Sequence, residues 1–191
     1  MKALEEKILA EGQVYPGNIL KVSSFLNHKI DVDFLMEMGK EIARLYSDTK
    51  VDKIVTIEAS GIAVAVAAAA FMHVPVVFAK KNKTTNILAD VYSSQVKSYT
   101  HGEVYNVIVS KEHLEKGESC LIIDDFLAMG NAINGLMDII TQAGGTVAGI
   151  ATVIEKGFQN GGDMLREKGI RVESLAIVDS MTDNSVKFRQ Q

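Results

Sequence analysis

The chain is poor in several residue types, and each scarcity excludes a class of protein. Its one cysteine, Cys120, cannot form a disulfide within the chain, which favours a reducing compartment and predicts a cytoplasmic protein. Two prolines are too few for a proline-rich linker. The longest apolar run, residues 62–72, is shorter than the ~20 residues that cross a bilayer. The first twelve residues lack the apolar stretch of a signal peptide, so we expect no membrane association.

An excess of positive charge is also missing. Lysine and arginine number 20 against 24 acidic residues, for a formal charge of −4, and the basic residues are not clustered. The basic surface that binds nucleic acid is therefore not expected. Hydrophobic residues make up 47% and charged residues 23% of the 191, which is typical of one globular domain with a sizeable core.

Strands and helices alternate along most of the chain. Short apolar strands are predicted at 53–57, 74–79, 121–124, 146–155 and 171–178, separated by helices at 61–72, 131–143 and 163–168. Helices are also predicted at 2–11 and 33–46, and an extended segment at 19–26. This order predicts an α/β fold, a mostly parallel twisted sheet with helices on both faces.

The polar stretch 80–103 reads differently from its surroundings. It is predicted as a long loop, partly a hairpin, that closes as a lid over a site. In folds of this class ligands bind beyond the carboxyl ends of the strands, which directs attention to the strand ends.

The strongest chemical signal is the segment CLIIDDFLAMGNAINGL, residues 120–136. A strand is predicted to end at Asp124 and Asp125, followed by a loop with Gly130 and the start of a helix. Two carboxylates can accept hydrogen bonds from a vicinal diol, and a helix N-terminus after a glycine suits a phosphate. Spacing alone leaves two alternatives open: a plain strand–loop–helix junction, and a pair of ligands for Mg²⁺.

Two weaker segments have the same position relative to a strand. Thr56 to Gly61 leads from a strand into a helix and would form a second anion site. Lys156 follows the strand 146–155 and precedes Phe158 and Gln159, which suits a planar base that stacks on a ring and accepts from an ammonium. The alternative for Lys156 is a solvated surface lysine.

The segment 120–136 resembles the phosphoribosyl-pyrophosphate motif of the type I phosphoribosyltransferases. The whole chain resembles the bacterial members of that family that use xanthine, through the stretches ILKVSSFLNHKID, KIVTIEASGIA, VPVVFAKK, QAGGTVAGIATVIEKGFQ and RVESLA. One departure is that residues 129–132 read Met-Gly-Asn-Ala, whereas many members carry threonine or serine hydroxyls there. Backbone N–H groups and the Asn131 amide would then hold the phosphate.

The resemblance implies the roles of particular residues. Residues 1–191 would form a single domain in which residues 1–30 and the C-terminal strands contribute a hood over the base. Asp124 and Asp125 would be catalytic. The xanthine-binding residues would be Leu20, Asn27 and Lys156. The ribose 5-phosphate would lie against Ala128, Met129, Gly130, Asn131 and Ala132. The pyrophosphate would lie against Ser60, Gly61 and Lys81.

The resemblance also implies an activity, a cofactor and a partner. The chain would transfer the 5-phosphoribosyl group from phosphoribosyl pyrophosphate to N9 of xanthine, as a homodimer. Mg²⁺ would be held mainly through pyrophosphate and ribose, without direct protein ligands. Two alternatives remain at this point: a transferase for guanine, hypoxanthine or adenine, and a non-catalytic regulator that senses phosphoribosyl pyrophosphate and binds nucleic acid. The acidic balance of the chain disfavours the regulator.

Overall fold

A computed structural model describes residues 1–82, 90–97, 104–182 and 185–190. Its helices are α1 (Lys2–Glu11), α2 (Val32–Leu45), α3 (Ser60–Met72), α4 (Asn131–Gln142) and α5 (Gly161–Glu167). Its strands are β1 (Gln13–Tyr15), β2 (Ile19–Lys21), β3 (Lys53–Ile57), β4 (Val76–Asn82), β5 (Val91–Lys97), β6 (Val104–Ser110), β7 (Ser119–Leu127), β8 (Thr146–Lys156), β9 (Val172–Thr182) and β10 (Ser185–Phe188). A π-helical turn spans Ser23–Asn27, and short 3-10 turns span Lys111–His113 and Gly157–Gln159.

Eight of the strands form one sheet, in the order β10-β9-β8-β7-β3-β4-β6-β5. The central strands β9, β8, β7, β3 and β4 are parallel neighbours, while β10, β6 and β5 join antiparallel at the edges. The predicted α/β class with a mostly parallel sheet is therefore confirmed. The carboxyl ends of the parallel strands all lie at the same end of the sheet, where ligands bind in such folds.

The two faces of the sheet bury separate clusters because side chains alternate along each strand. Ile54, Leu121 and Ile123 pack with α1, α2 and α3 on one face. Val55 and Ile122 pack with α4 and α5 on the other. Helices thus cover both faces, as the near-continuous apolar strands predicted.

The N-terminal residues pack against one face of the sheet and against α2. The amino group of Met1 donates to the Leu175 carbonyl oxygen, which ties α1 to β9. The β1–β2 hairpin and the π-helical turn follow. Asp31 then caps α2, accepting from the Phe34 N–H at 3.2 Å, and it also accepts from Lys7 at 2.9 Å.

Several predicted boundaries are wrong for identifiable reasons. The extended segment 19–26 is a strand only to Lys21, and a π-helical turn follows because Val22, Phe25 and Leu26 are buried at helical rather than alternating spacing. Strand β10 was not predicted, and β9, which it pairs with, is longer than expected. None of the helices in the described part of the chain is long and apolar enough to cross a membrane.

The stretch predicted as a loop from 80 to 103 is partly sheet. Its first residues end β4, and 91–97 form β5, which pairs with β6 along its whole length. The hairpin is therefore confirmed for these strands. The rest of the predicted lid, residues 83–89 and 98–103, lies outside the described residues.

Candidate active site

The acid pair lies where two strands separate. Strand β3 pairs with β7 only as far as Ile122, whereas β8 continues beside β7 to Leu127. The sequence predicted that the strand ends at Asp124 and Asp125. Both residues instead lie inside β7, because Phe126 and Leu127 extend the pairing with β8. A cleft opens on the β3 side of the two carboxylates.

Asp124 is the more enclosed of the two acids. It is 6% exposed, and its Oδ1 accepts from the Asp125 N–H at 2.9 Å. Burial, and secondarily the neighbouring Asp125 carboxylate, raise the pKa of Asp124 well above its usual range. Asp124 therefore holds a proton more readily than an exposed carboxylate would, and its oxygens can take part in hydrogen bonds with a diol.

Asn27 joins the N-terminal region to this pair. Its Nδ2 donates to Asp125 Oδ2 at 2.8 Å. Because a carboxylate oxygen needs a donor, the amide orientation is fixed, and the Asn27 Oδ1 is left buried with no partner among the described residues. A buried acceptor without a partner is costly, which favours a ligand donor that reaches it beside the acid pair.

The loop after β7 has the geometry of a phosphate site. Gly130 has φ +80°, in the left-handed region, and α4 begins at the next residue without a side-chain cap from any described residue. The first N–H groups of α4 are thus open to an anion. A cavity of about 230 Å³ is lined by all five residues predicted to hold the 5-phosphate, Ala128, Met129, Gly130, Asn131 and Ala132. The Asn131 amide nitrogen donates to the Lys97 carbonyl oxygen at 3.0 Å.

A second cavity, of about 240 Å³, lies next to the first. It is lined by Ser60 and Gly61 at the start of α3 and by both aspartates. Lys81, Tyr105 and Ala132 line both cavities, so the acid pair and the two helix N-termini share one cleft.

Gly61 sets how closely α3 approaches the acids. A Cβ there would lie 2.4 Å from Thr56 Oγ1 and 2.9 Å from Asp124 Oδ1, so only glycine fits without displacement. The preceding Glu58–Ala59 peptide bond is cis. Glu58 Oε1 accepts from the Lys81 N–H at 2.7 Å, which fixes the loop to β4.

Lys156 and Leu20 line neither of these two cavities and are close to the β1–β2 hairpin. The Lys156 ammonium donates to the Asn18 carbonyl oxygen at 2.9 Å, in the turn of the β1–β2 hairpin, and Leu20 of that hairpin is buried. Burial lowers the pKa of Lys156, so the lysine is not the fully solvated surface group that the sequence left as an alternative. The ammonium lies 5.7 Å from the centre of the Phe126 ring.

Phe126 is a site residue that the sequence reasoning missed. Its ring lies near the Lys156 ammonium, and it also lines the cavity of the 128–132 loop. The available signal was its position directly after the acid pair, near the carboxyl end of a parallel strand, where ligands bind in such folds. Phe158, the aromatic residue noted beside Lys156 in the sequence, packs against the same core cluster as Phe126 but lines neither cavity.

The described residues do not form a metal site by themselves. No group of three or more histidine, cysteine, aspartate or glutamate side chains within them is close enough to hold an ion. Asp124 and Asp125 supply oxygen donors of the kind that Mg²⁺ prefers, but further ligands would have to come from a substrate.

Comparison with known proteins agrees with this geometry. A family model described as "Phosphoribosyl transferase domain" matches residues 22–178, and the chain belongs to this phosphoribosyltransferase family. "Xanthine phosphoribosyltransferase 1" of Clostridium perfringens is 56% identical over 190 residues, covering 99% of this chain and all of the relative. The xanthine phosphoribosyltransferase of Clostridioides difficile is 54% identical with the same coverage, and that of Bacillus cereus is 50% identical over the whole chain.

Solved structures support the fold. Adenine phosphoribosyltransferase from Thermoanaerobacter pseudethanolicus superposes with a TM-score of 0.72 at 23% identity, covering 91% of this chain and 98% of that one. The Giardia lamblia enzyme in complex with 9-deazaadenine gives 0.74 at 20% identity, covering 93% and 98%. At these identities the likeness concerns the type I phosphoribosyltransferase fold alone.

Proposed function

We propose that this protein is a purine-salvage enzyme that transfers the 5-phosphoribosyl group from phosphoribosyl pyrophosphate to N9 of xanthine. The products are xanthosine 5′-monophosphate and pyrophosphate. The observation that carries the proposal is the shared cleft, in which an acid pair lies between two helix N-termini. Full-length identity of 50–56% to xanthine phosphoribosyltransferases supports the choice of base.

The cleft suits a sugar with a phosphate at each end. Residues 128–132 hold the 5-phosphate at the N-terminus of α4, and Ser60, Gly61 and Lys81 hold the pyrophosphate. Asp124 and Asp125 bind the ribose 2′ and 3′ hydroxyls between them. Mg²⁺ would be held mainly through pyrophosphate and ribose, beside Asp124 and Asp125, and would neutralise charge on the leaving group.

The reaction is a displacement at C1′. The bond from C1′ to the pyrophosphate oxygen breaks, N9 of the base forms the new bond, and positive charge develops on the ribose ring as in glycoside hydrolysis. The negative charge of the acid pair stabilises that state, and the enclosed cleft aligns the reactants. The proton lost from N9 leaves to solvent or to a carboxylate of the cleft.

Base selection involves the residues near the β1–β2 hairpin. The Lys156 ammonium donates to the exocyclic carbonyl oxygen O6, and Phe126 supplies an aromatic face beside it. The Asn27 Oδ1, held open by the bond from its Nδ2 to Asp125, accepts from a ring N–H. Xanthine carries both groups on its six-membered ring, whereas adenine carries neither. Leu20 closes the site against the apolar part of the base.

The test is a competition among bases. Purified protein is incubated with phosphoribosyl pyrophosphate, Mg²⁺ and xanthine, guanine, hypoxanthine or adenine, and the nucleotide product is quantified. We expect xanthine to have the highest kcat/KM and turnover to stop when EDTA removes the metal. Faster turnover of another base would assign the chain to that base, and binding of phosphoribosyl pyrophosphate without any turnover would favour a sensor.

The proposed assembly is a homodimer that acts in the cytoplasm. Helix α3 carries no charged residue, yet Val66 is 54% and Phe71 39% exposed, which is the composition of a helix that a partner covers. Burial raises the pKa of the lone Cys120 to about 11, so it stays an unreactive thiol suited to a reducing compartment. Light scattering after size-exclusion chromatography gives the oligomeric state.

A further inference from the structure

A buried ion pair lies next to the proposed base lysine. Glu155, the residue before Lys156, is 0% exposed, and the Arg166 guanidinium of α5 donates to both its carboxylate oxygens, at 2.9 and 2.7 Å. The Ser174 hydroxyl of β9 donates to the same carboxylate. This fork fixes α5 to the end of β8 with a defined orientation, since a guanidinium and a carboxylate pair in one plane.

Two glycines let α5 touch both proposed loops. The Gly161 N–H donates to the Ala128 carbonyl oxygen at 3.1 Å, and a Cβ on Gly161 would lie 2.1 Å from that oxygen. A Cβ on Gly162 would lie 2.1 Å from Glu155 Oε1. The start of α5 is therefore packed between the loop 128–132 and the strand end that carries Lys156.

The network continues to the C-terminus. Asp163 accepts from Arg166 at 3.2 Å and from Arg189 at 2.8 Å, and Arg189 also donates to Asp179 at 2.8 Å. Contacts with Ala128, Glu155 and Arg189 thus fix α5 to three parts of the chain. A buried ion pair is a poor source of stability, because desolvating the charges offsets much of their attraction. A role in positioning is a better reason for this one.

We propose that Glu155 and Arg166 are positioning residues. Their ion pair holds α5 so that the loop 128–132 keeps its shape for the 5-phosphate and a fixed distance from Lys156. The inference rests on the proposed function, in which the loop 128–132 binds the 5-phosphate and Lys156 binds the base.

The decisive variant is Arg166→Lys, tested by calorimetric binding of ribose 5-phosphate. Lysine keeps a positive charge beside Glu155 but cannot form the fork. We expect the Kd for ribose 5-phosphate to rise at least about fivefold, because sub-ångström misplacement of a binding group has costs of this order. The KM for phosphoribosyl pyrophosphate should rise with it. Ser174→Ala, a milder change that removes one hydrogen bond to Glu155, should raise the Kd about twofold.

Arg171→Lys is the matched control. Arg171 is exposed to a similar degree, 35% against 31% for Arg166, and is paired with Asp48 and Glu173 at the amino end of β9, whereas Glu155 lies near the carboxyl end of β8. It should lower the melting temperature without changing the Kd for ribose 5-phosphate.

The outcomes separate this inference from the proposed function. If the unaltered protein does not bind ribose 5-phosphate, the assignment of residues 128–132 is wrong, and the inference fails with it. If the unaltered protein binds, but Arg166→Lys and Ser174→Ala bind equally well, only the positioning role is overturned. If Arg166→Lys does not fold, Ser174→Ala decides alone.

Discussion

Replacing Lys156 by glutamine separates the proposed base contact from a structural role. The lysine ammonium has donors and no acceptor, so it pairs with O6 of xanthine and opposes the exocyclic amine of adenine. Glutamine is neutral, and its amide can donate or accept. We therefore expect Lys156→Gln to lose activity with xanthine and to lose less, or to gain, with adenine.

The magnitude follows from the environment of the ammonium. Lys156 is half-buried, with one hydrogen bond, to Asn18, and the Phe126 ring 5.7 Å away. Leaving the base oxygen without this partner in a closed site costs about 1–3 kcal/mol, which corresponds to roughly 5- to 150-fold in kcat/KM. The melting temperature should change little, because the lost bond to Asn18 is offset by removal of a charge that burial disfavours.

The assay is the ratio of kcat/KM for xanthine to that for adenine, measured in both proteins. Lys40→Gln, an exposed lysine on α2, serves as the matched control and should leave the ratio unchanged. The reasoning is refuted if Lys156→Gln keeps the ratio of the unaltered protein. An equal loss with both bases would mean that Lys156 only supports the β1–β2 hairpin.

Four other substitutions test the cleft and its supports. Asp124→Asn and Asp125→Asn should each lower kcat for xanthine at least about tenfold, which corresponds to about 1.4 kcal/mol of transition-state stabilisation, with little change in melting temperature. Normal rates in both variants would contradict the catalytic assignment. Gly130→Ala places a side chain at φ +80°, which costs about 1–2 kcal/mol and should lower the urea midpoint at unchanged slope. The Arg189 guanidinium, together with Arg166, holds the pKa of Asp163 below its usual 3.8, so its stabilisation is present above the unfolded-state pKa and disappears as pH falls through the folded-state value. Asp163→Asn should therefore lower the melting temperature at pH 7 and not at pH values below the folded-state pKa, and a difference that persists in acid would contradict the ion-pair explanation.

Local pattern was sufficient for most of the fold. The apolar strands 53–57 and 146–155 and the helix after Gly130 were predicted within about two residues, because each depends on side-chain spacing and on a local glycine or cap. Predicted site residues that are contiguous in sequence also line the same cavity, as residues 128–132 do. The resemblance to the phosphoribosyltransferases also depends on contiguous stretches of sequence.

The spacing of residues along the chain did not determine which distant residues come into contact. The sequence ended β7 at the acid pair, and only the continued pairing with β8 shows that the acids lie within the strand, facing a cleft opened by the departure of β3. Phe126 became a site residue for the same reason.

The supports of the site depend on tertiary structure most of all. The bond from Asn27 to Asp125 joins residues 98 positions apart, and the Glu155–Arg166 fork matters because Gly161 also contacts Ala128. The sequence by itself determined the strands, the helices and the contiguous phosphate and acid motifs, since these follow from interactions between near neighbours. Tertiary structure alone decided how the motifs are oriented and held, because that depends on contacts whose partners the local pattern does not specify.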